Sequence, residues 1–148
     1  MRHEGHCHCG NLTVEFESAR PPAQTPLRTC TCTFCRRHAP TYATDPSGRL
    51  AVRWRDPALV SRYRFGLATA DFLLCTRCGV FVAAVCEVEG QVLATLNVNV
   101  LEDRPAFSQP PAPVDYDGEN VSARLARRRE RWTPAEVGPG PYLRPPSP

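Results

Sequence analysis

Three cysteine clusters limit what this chain can fold into: Cys7 with Cys9, then Cys30, Cys32 and Cys35, then Cys75 with Cys78. Cys-x-Cys and Cys-x-x-Cys spacings suit shared metal ligation. Zinc in a closed structural site takes four ligands, and a catalytic zinc takes three and keeps its fourth position open. The middle run, Cys30-Thr31-Cys32-Thr33-Phe34-Cys35, is one sulfur short of closure and leads directly into Arg36, Arg37 and His38. The two outer pairs together supply four thiols, enough for one tetrahedral ion. Spacing alone leaves the pairing open, because Cys7 and Cys9 could equally share an ion with Cys30 and Cys32. Cys86, within a long apolar run, reads as a buried core thiol.

A disulfide framework is the competing use of eight cysteines. It is the weaker one, since His3, Glu4 and His6 stand where a secretion signal needs an apolar stretch, and no apolar run approaches a membrane span. The expected setting is the cytoplasm. All 18 basic residues are arginine, which excludes Schiff-base lysine, a lysine general base and a phosphate-loop lysine. The formal charge of +3 is cancelled once both clusters fill, because four thiolates around a divalent ion leave two negative charges and three leave one.

A chain of 148 residues is expected to form one domain. Residues 11–17 alternate, with Leu12, Val14 and Phe16 on one face, and Leu50, Val52 and Trp54 repeat the pattern. Arg62 and Arg64 alternate with Tyr63 and Phe65 in a third short strand. Residues 80–88 and 91–101 are apolar, β-branched runs meeting at Glu89-Gly90, the signature of a central hairpin. Proline-rich stretches at 19–26 and 105–113 read as connectors. No helical period precedes residue 119; over 120–132 a short helix is expected, with Val121, Leu125 and Trp132 on one face and five arginines around them. The chain thus reads as mostly β with a short C-terminal helix: a zinc-binding domain over 1–132 and a proline-rich, disordered tail over 133–148.

Cys7-His8-Cys9-Gly10, Cys30-x-Cys32-x-x-Cys35-Arg36 and Cys75-x-x-Cys78-Gly79, in this order, resemble the glutathione-dependent formaldehyde-activating enzyme family, which includes centromere protein V. Residues 96–101 and 116–120 are similar to the family's last strand and the turn beyond it, so the resemblance spans roughly residues 5 to 120. It implies a zinc-pinned sheet of the β-tent type. It also implies a structural zinc on Cys7, Cys9, Cys75 and Cys78, and a second, catalytic zinc on Cys30, Cys32 and Cys35 whose fourth position accepts a substrate thiol. The implied activity is that of a carbon–sulfur lyase, joining glutathione and formaldehyde reversibly as S-(hydroxymethyl)glutathione.

Arg36 and Arg37 are the expected partners of glutathione's carboxylates, because an arginine fork binds a carboxylate bidentately. Arg62 and Arg64 are weaker candidates, and Asn97 and Asn99 could border the site or end a strand. A closed version of the second site would take His38 or Cys86 as its fourth ligand. His8 is expected to point away from the metal, and His3 and His6 to lie on the surface. The alternative function is a non-enzymatic zinc module for a protein or nucleic-acid partner, with the arginine-rich helix meeting phosphates; a compensated net charge makes a poor nucleic-acid footprint.

Overall fold

The structure is a computed structural model describing residues 1–139. Strands β1 (Arg2–His6) and β2 (Leu12–Glu17) are followed by β3 (Arg28–Cys30), the six-residue helix α1 (Thr33–His38), β4 (Tyr42–Ala43), β5 (Arg49–Trp54) and β6 (Val60–Tyr63). Then come β7 (Asp71–Cys75), β8 (Phe81–Val88), β9 (Gln91–Asn97), β10 (Ala112–Val114), the helix α2 (Val121–Arg131) and β11 (Thr133–Pro139). The sheet runs β1-β2-β5-β11-β9-β4-β3-β10, and β8, β7 and β6 branch from β9 in that order. The fold is mostly β with a short C-terminal helix. None of the described helices is long and apolar enough to cross a membrane.

The alternating residues do what their pattern requires. Leu12, Val14 and Phe16 of β2 and Leu50 and Val52 of β5 are buried and pack with Leu73, Val82 and Leu96 in one core; each such burial contributes about 1.5–3 kcal/mol. From Phe81 to Cys86 β8 is buried on both faces, which is why that run is continuously apolar, whereas Glu87 is exposed. Val82 and Val85 join this first core, while Phe81, Cys86 and Val88 join a second one with Cys35, Tyr42 and Trp132. Glu89 (φ 50°) and Gly90 (φ 79°) close the β8–β9 hairpin with both central residues left-handed, as a two-residue type I′ turn needs.

β1 and the segment after β9 come into unusually close contact at Gly5, which bridges Leu101. A Cβ at Gly5 would lie 2.1 Å from the carbonyl oxygen of Val100 and 2.7 Å from Cα of Leu101. Gly5→Ala is therefore expected to cost about 3 kcal/mol in denaturant unfolding, the upper range for overpacking. Gly138→Ala, where nothing lies within 4 Å of the added carbon, should stay within about 0.5 kcal/mol of the parent. Equal effects at the two positions would refute the close approach.

Several expectations are corrected. Residues 133–139, expected within the tail, form a strand: residues 135–139 run parallel to residues 50–54 of β5, and Thr133 and Pro134 pair with Ala94 and Leu93 of β9. β11 thus joins two parts of the sheet, and the expected tail over 133–148 gives up its first seven residues; 140–148 lie outside the described residues. A helix, α1, precedes residue 119. The third strand stops at Tyr63, and residues 98–100 form a helical turn beyond the end of β9. In α2, Val121 is 44% exposed whereas Arg128 is 6% exposed, so the inward face is Leu125, Arg128 and Trp132. His3 is also inside, 4% exposed and hydrogen-bonded through Nδ1 to Asp103 at 2.7 Å. His6 is half-buried, with Nδ1 on the carbonyl oxygen of Cys7 and Nε2 on Glu102, both at 2.7 Å.

Candidate metal centre and cavity

Two tight turns bring the first cluster together. Cys7 and Cys9 lie in the β1–β2 turn, closed by the Gly10 amide donating to the carbonyl oxygen of Cys7 at 2.8 Å. Cys75 and Cys78 lie in the β7–β8 turn, where the Gly79 amide donates to the carbonyl oxygen of Cys75 at 2.8 Å. Gly79 has φ +78°, a conformation that a side chain would strain. The four sulfurs fall within 4.8 Å of one another, with Cys7 to Cys9 at 3.7 Å and Cys9 to Cys75 at 3.4 Å. Tetrahedral zinc–thiolate bonds of about 2.3 Å place sulfurs about 3.8 Å apart. The spacing therefore fits one ion.

The electrostatics of these thiols match that use. Burial pushes Cys7 up to about 12, with the neighbouring sulfurs adding to the effect and the Leu12 amide, which donates to its Sγ at 3.3 Å, opposing it. Burial also raises Cys78, but backbone amides at Cys9 and Val80 bring it down to about 7. Packed thiols of this kind resist ionising together, and a cation is what lets them do so. His8 is exposed, and neither it nor His6 belongs to the cluster.

The second cluster is built where β3 passes into α1. Cys32 caps the helix, its Sγ accepting from the Cys35 amide at 3.4 Å, and Arg36 N–H donates to the carbonyl oxygen of Cys32 at 2.9 Å. Cys30, at the end of β3, is registered against Val114 of β10. Phe34 anchors the turn, stacking on His38 at 4.3 Å and on Phe65 at 5.1 Å and meeting Phe72 edge-on at 4.7 Å. The sulfurs of Cys30, Cys32 and Cys35 lie within 4.8 Å of one another, and neither His38 nor Cys86 is among them.

The contacts within this group pull its thiols in opposite directions. A hydrogen bond with Cys35 pulls Cys30 down to about 6, and that same contact, together with burial, raises Cys35. Tyr42, buried and 3.2 Å from Cys35 Sγ, is itself raised by burial and by the charge of that sulfur. Its phenol therefore keeps its proton, and either it or the Cys35 thiol can donate in the hydrogen bond between them. Three soft donors, with no fourth His, Cys, Asp or Glu grouped with them among the described residues, form a set that could hold a metal ion with one position free.

This second cluster opens onto a cavity of about 580 Å³, within the range of small-molecule sites. Cys30, Cys32 and Cys35 line it, as do Phe65, Leu67 and Phe72, and Thr95 from the inner face of β9. Of the two expected carboxylate partners only Arg36 lines it; Arg37 donates to the carbonyl oxygen of Thr33 in its own helix at 2.8 Å. Arg62 and Arg64 both pair with Asp71, at 3.2 and 2.6 Å, and do not line the cavity. Asn97 holds backbone instead, donating to Phe81 at 2.9 Å and accepting from Thr41 at 3.3 Å. Arg28, Arg124, Arg127 and Arg128 are the lining cations that sequence reasoning missed. The visible signal is the arginine repeat in 124–131, read from the sequence as surrounding an apolar helix face and as a candidate phosphate contact.

A mostly β fold carrying one group of four thiols and one of three beside a cavity has two sets of residues that could hold metal ions, the second next to a space of small-molecule size. A family model described as "glutathione-dependent formaldehyde-activating enzyme" matches residues 2–114, and the chain belongs to that family. A crystal structure of a Rhodobacter sphaeroides protein is 30% identical and superposes with a TM-score of 0.54, over 74% of this chain and 97% of that one. No curated protein matches the chain.

Proposed function

We propose that the protein is a zinc-dependent carbon–sulfur lyase that forms and cleaves the adduct of glutathione, or a similar thiol, with formaldehyde or a related small aldehyde. The observation that carries this reading is the three-thiol cluster Cys30, Cys32 and Cys35 on the wall of a substrate-sized cavity, in a chain of this family. Zinc held by three thiolates would lower the pKa of a thiol at its fourth position, so that the thiol reacts as thiolate. In the reaction itself the thiol sulfur bonds to the carbonyl carbon and the carbonyl π pair moves to oxygen. The proton lost by sulfur matches the one gained by that oxygen, so no net acid or base is consumed.

In this reading Cys7, Cys9, Cys75 and Cys78 hold a structural zinc, and the domain takes in β11. Tyr42 fixes the position of Cys35 by its hydrogen bond, and Arg36, on the cavity wall, attracts a substrate carboxylate. The phosphate-meeting role considered for α2 draws little support. Arg124 and Arg127 pair with Glu119 at 3.4 and 2.8 Å, Arg128 is buried, and Arg129 pairs with Glu89.

Cobalt substitution tests the open position. Protein refolded with Co²⁺ is expected to show a new sulfur-to-cobalt absorption on adding glutathione, and none with the analogue carrying serine in place of cysteine. An unchanged spectrum with the thiol would contradict an open three-thiolate site.

A further inference from the structure

Five arginines line the cavity against three carboxylates, those of Asp115, Asp117 and Glu119. Glu119 is already engaged: Arg127 holds it through Nε at 2.8 Å and Nη2 at 2.9 Å, and Arg124 reaches it at 3.4 Å. Arg28 and Arg128 differ, for neither has a carboxylate partner among the described residues. Arg28 is half-buried, and its Nη2 donates to the hydroxyl of Thr44 at 2.8 Å. Arg128 is 6% exposed, spends Nη1 on the carbonyl and hydroxyl oxygens of Thr69 at 2.9 Å each, and lies 4.6 Å over the Trp132 ring. Its buried Nε–H has no acceptor among the described residues.

Buried charge without a partner is among the costlier features a fold carries. The surroundings relieve it only in part, through Tyr116 beside Arg28 and Cys86 beside Arg128. Burial pulls both guanidiniums down from their ordinary range, with Arg127 adding to the effect at each. The neighbouring Cys86 thiol is pushed up by burial, with the Arg128 guanidinium beside it opposing that shift. A filled three-thiolate site would contribute one net negative charge, against Arg28, Arg128 and the exposed Arg36, which have no carboxylate partner among the described residues.

We propose that Arg28 and Arg128 form a carboxylate subsite in this cavity, which makes the substrate a thiol bearing carboxylates and discriminates against neutral thiols. The inference rests on reading Cys30, Cys32 and Cys35 as the end of the cavity where the thiol reacts. It moves the carboxylate recognition expected of Arg36 and Arg37 largely onto other residues. Arg128, on α2, belongs to a segment beyond the family match, which ends at residue 114, so part of the selectivity is supplied by this chain's own C-terminal helix.

Two probes separate this proposal from the reading beneath it. In the cobalt-loaded protein, glutathione is expected to bind about 10-fold or more tightly than neutral mercaptoethanol. In Arg28→Gln and in Arg128→Lys, which keeps the charge but loses the fork, glutathione should weaken by about that factor with mercaptoethanol unchanged. Equal weakening of both thiols, or a preference that survives both substitutions, overturns the subsite. S-methylglutathione keeps both carboxylates and cannot offer a thiolate, so its calorimetric binding reports the subsite without the metal. Binding to the parent that is lost in Arg28→Gln upholds the subsite even if no thiol alters the cobalt spectrum. No binding to the parent overturns it. Should Arg128→Lys fail to fold, Arg28→Gln decides the matter, because Arg28 is only half-buried.

Discussion

Cys78→Ser is expected to leave no folded, soluble protein. The four sulfurs it belongs to tie the β1–β2 turn to the β7–β8 turn, across 66 residues between Cys9 and Cys75. Zinc bound to such a site contributes about 10–16 kcal/mol in small zinc modules, comparable to the roughly 5–15 kcal/mol of a whole domain's stability. The substitution also leaves the fully buried Cys7 and Cys75 facing each other with no complete ligand set to neutralise them. Far-UV circular dichroism and soluble yield report the loss, and a strong chelator should reproduce it in the parent protein. A Cys78→Ser protein that is soluble and shows the parent spectrum would refute the structural role of this cluster.

Cys32→Ser should do the reverse, keeping the fold and removing the chemistry. Cys32 is half-exposed and caps α1 through a sulfur that accepts from the Cys35 amide. Serine is a stronger N-cap acceptor than cysteine, so the local turn survives the change. The three-thiolate set does not. Metal content should fall from about two ions per chain to about one, with thermal stability within a few degrees of the parent, and aldehyde–thiol exchange should drop to the spontaneous rate. Unfolding as complete as that of Cys78→Ser would mean that the two clusters had exchanged roles.

The parts of this fold that were legible in the sequence are those whose signal is local. Leu12, Val14 and Phe16, and Leu50, Val52 and Trp54, each face one core because a strand's side chains alternate. Glu89 and Gly90 mark a turn through their own backbone preferences, and the cysteines through their spacing. The missed parts depend on distant partners. β1 has almost no apolar residue, and His3 is inside because Asp103, 100 residues away, hydrogen-bonds it and Phe107 packs against its ring. β11 contains Pro134, Gly138 and Pro139, which read as loop, yet β5 and β9 supply its pairing. α1 is too short to show a helical period and is set by the cap at Cys32 and the aromatic packing of Phe34. On α2 the apolar side chains suggested a face through Val121, whereas Arg128 turns inward with its guanidinium over Trp132. A charged residue at a buried position is what period-based reading assigns to the surface, and here it lines the cavity.

The central claim, that Cys30, Cys32 and Cys35 make this cavity a site of aldehyde–thiol chemistry, is tested most directly by exchange NMR on glutathione and formaldehyde at equilibrium. Zinc-loaded protein is expected to speed interconversion between formaldehyde and its glutathione adduct well beyond the spontaneous rate, with Cys32→Ser at that rate. Interconversion no faster with the parent protein than without it, at full metal occupancy, would contradict the account.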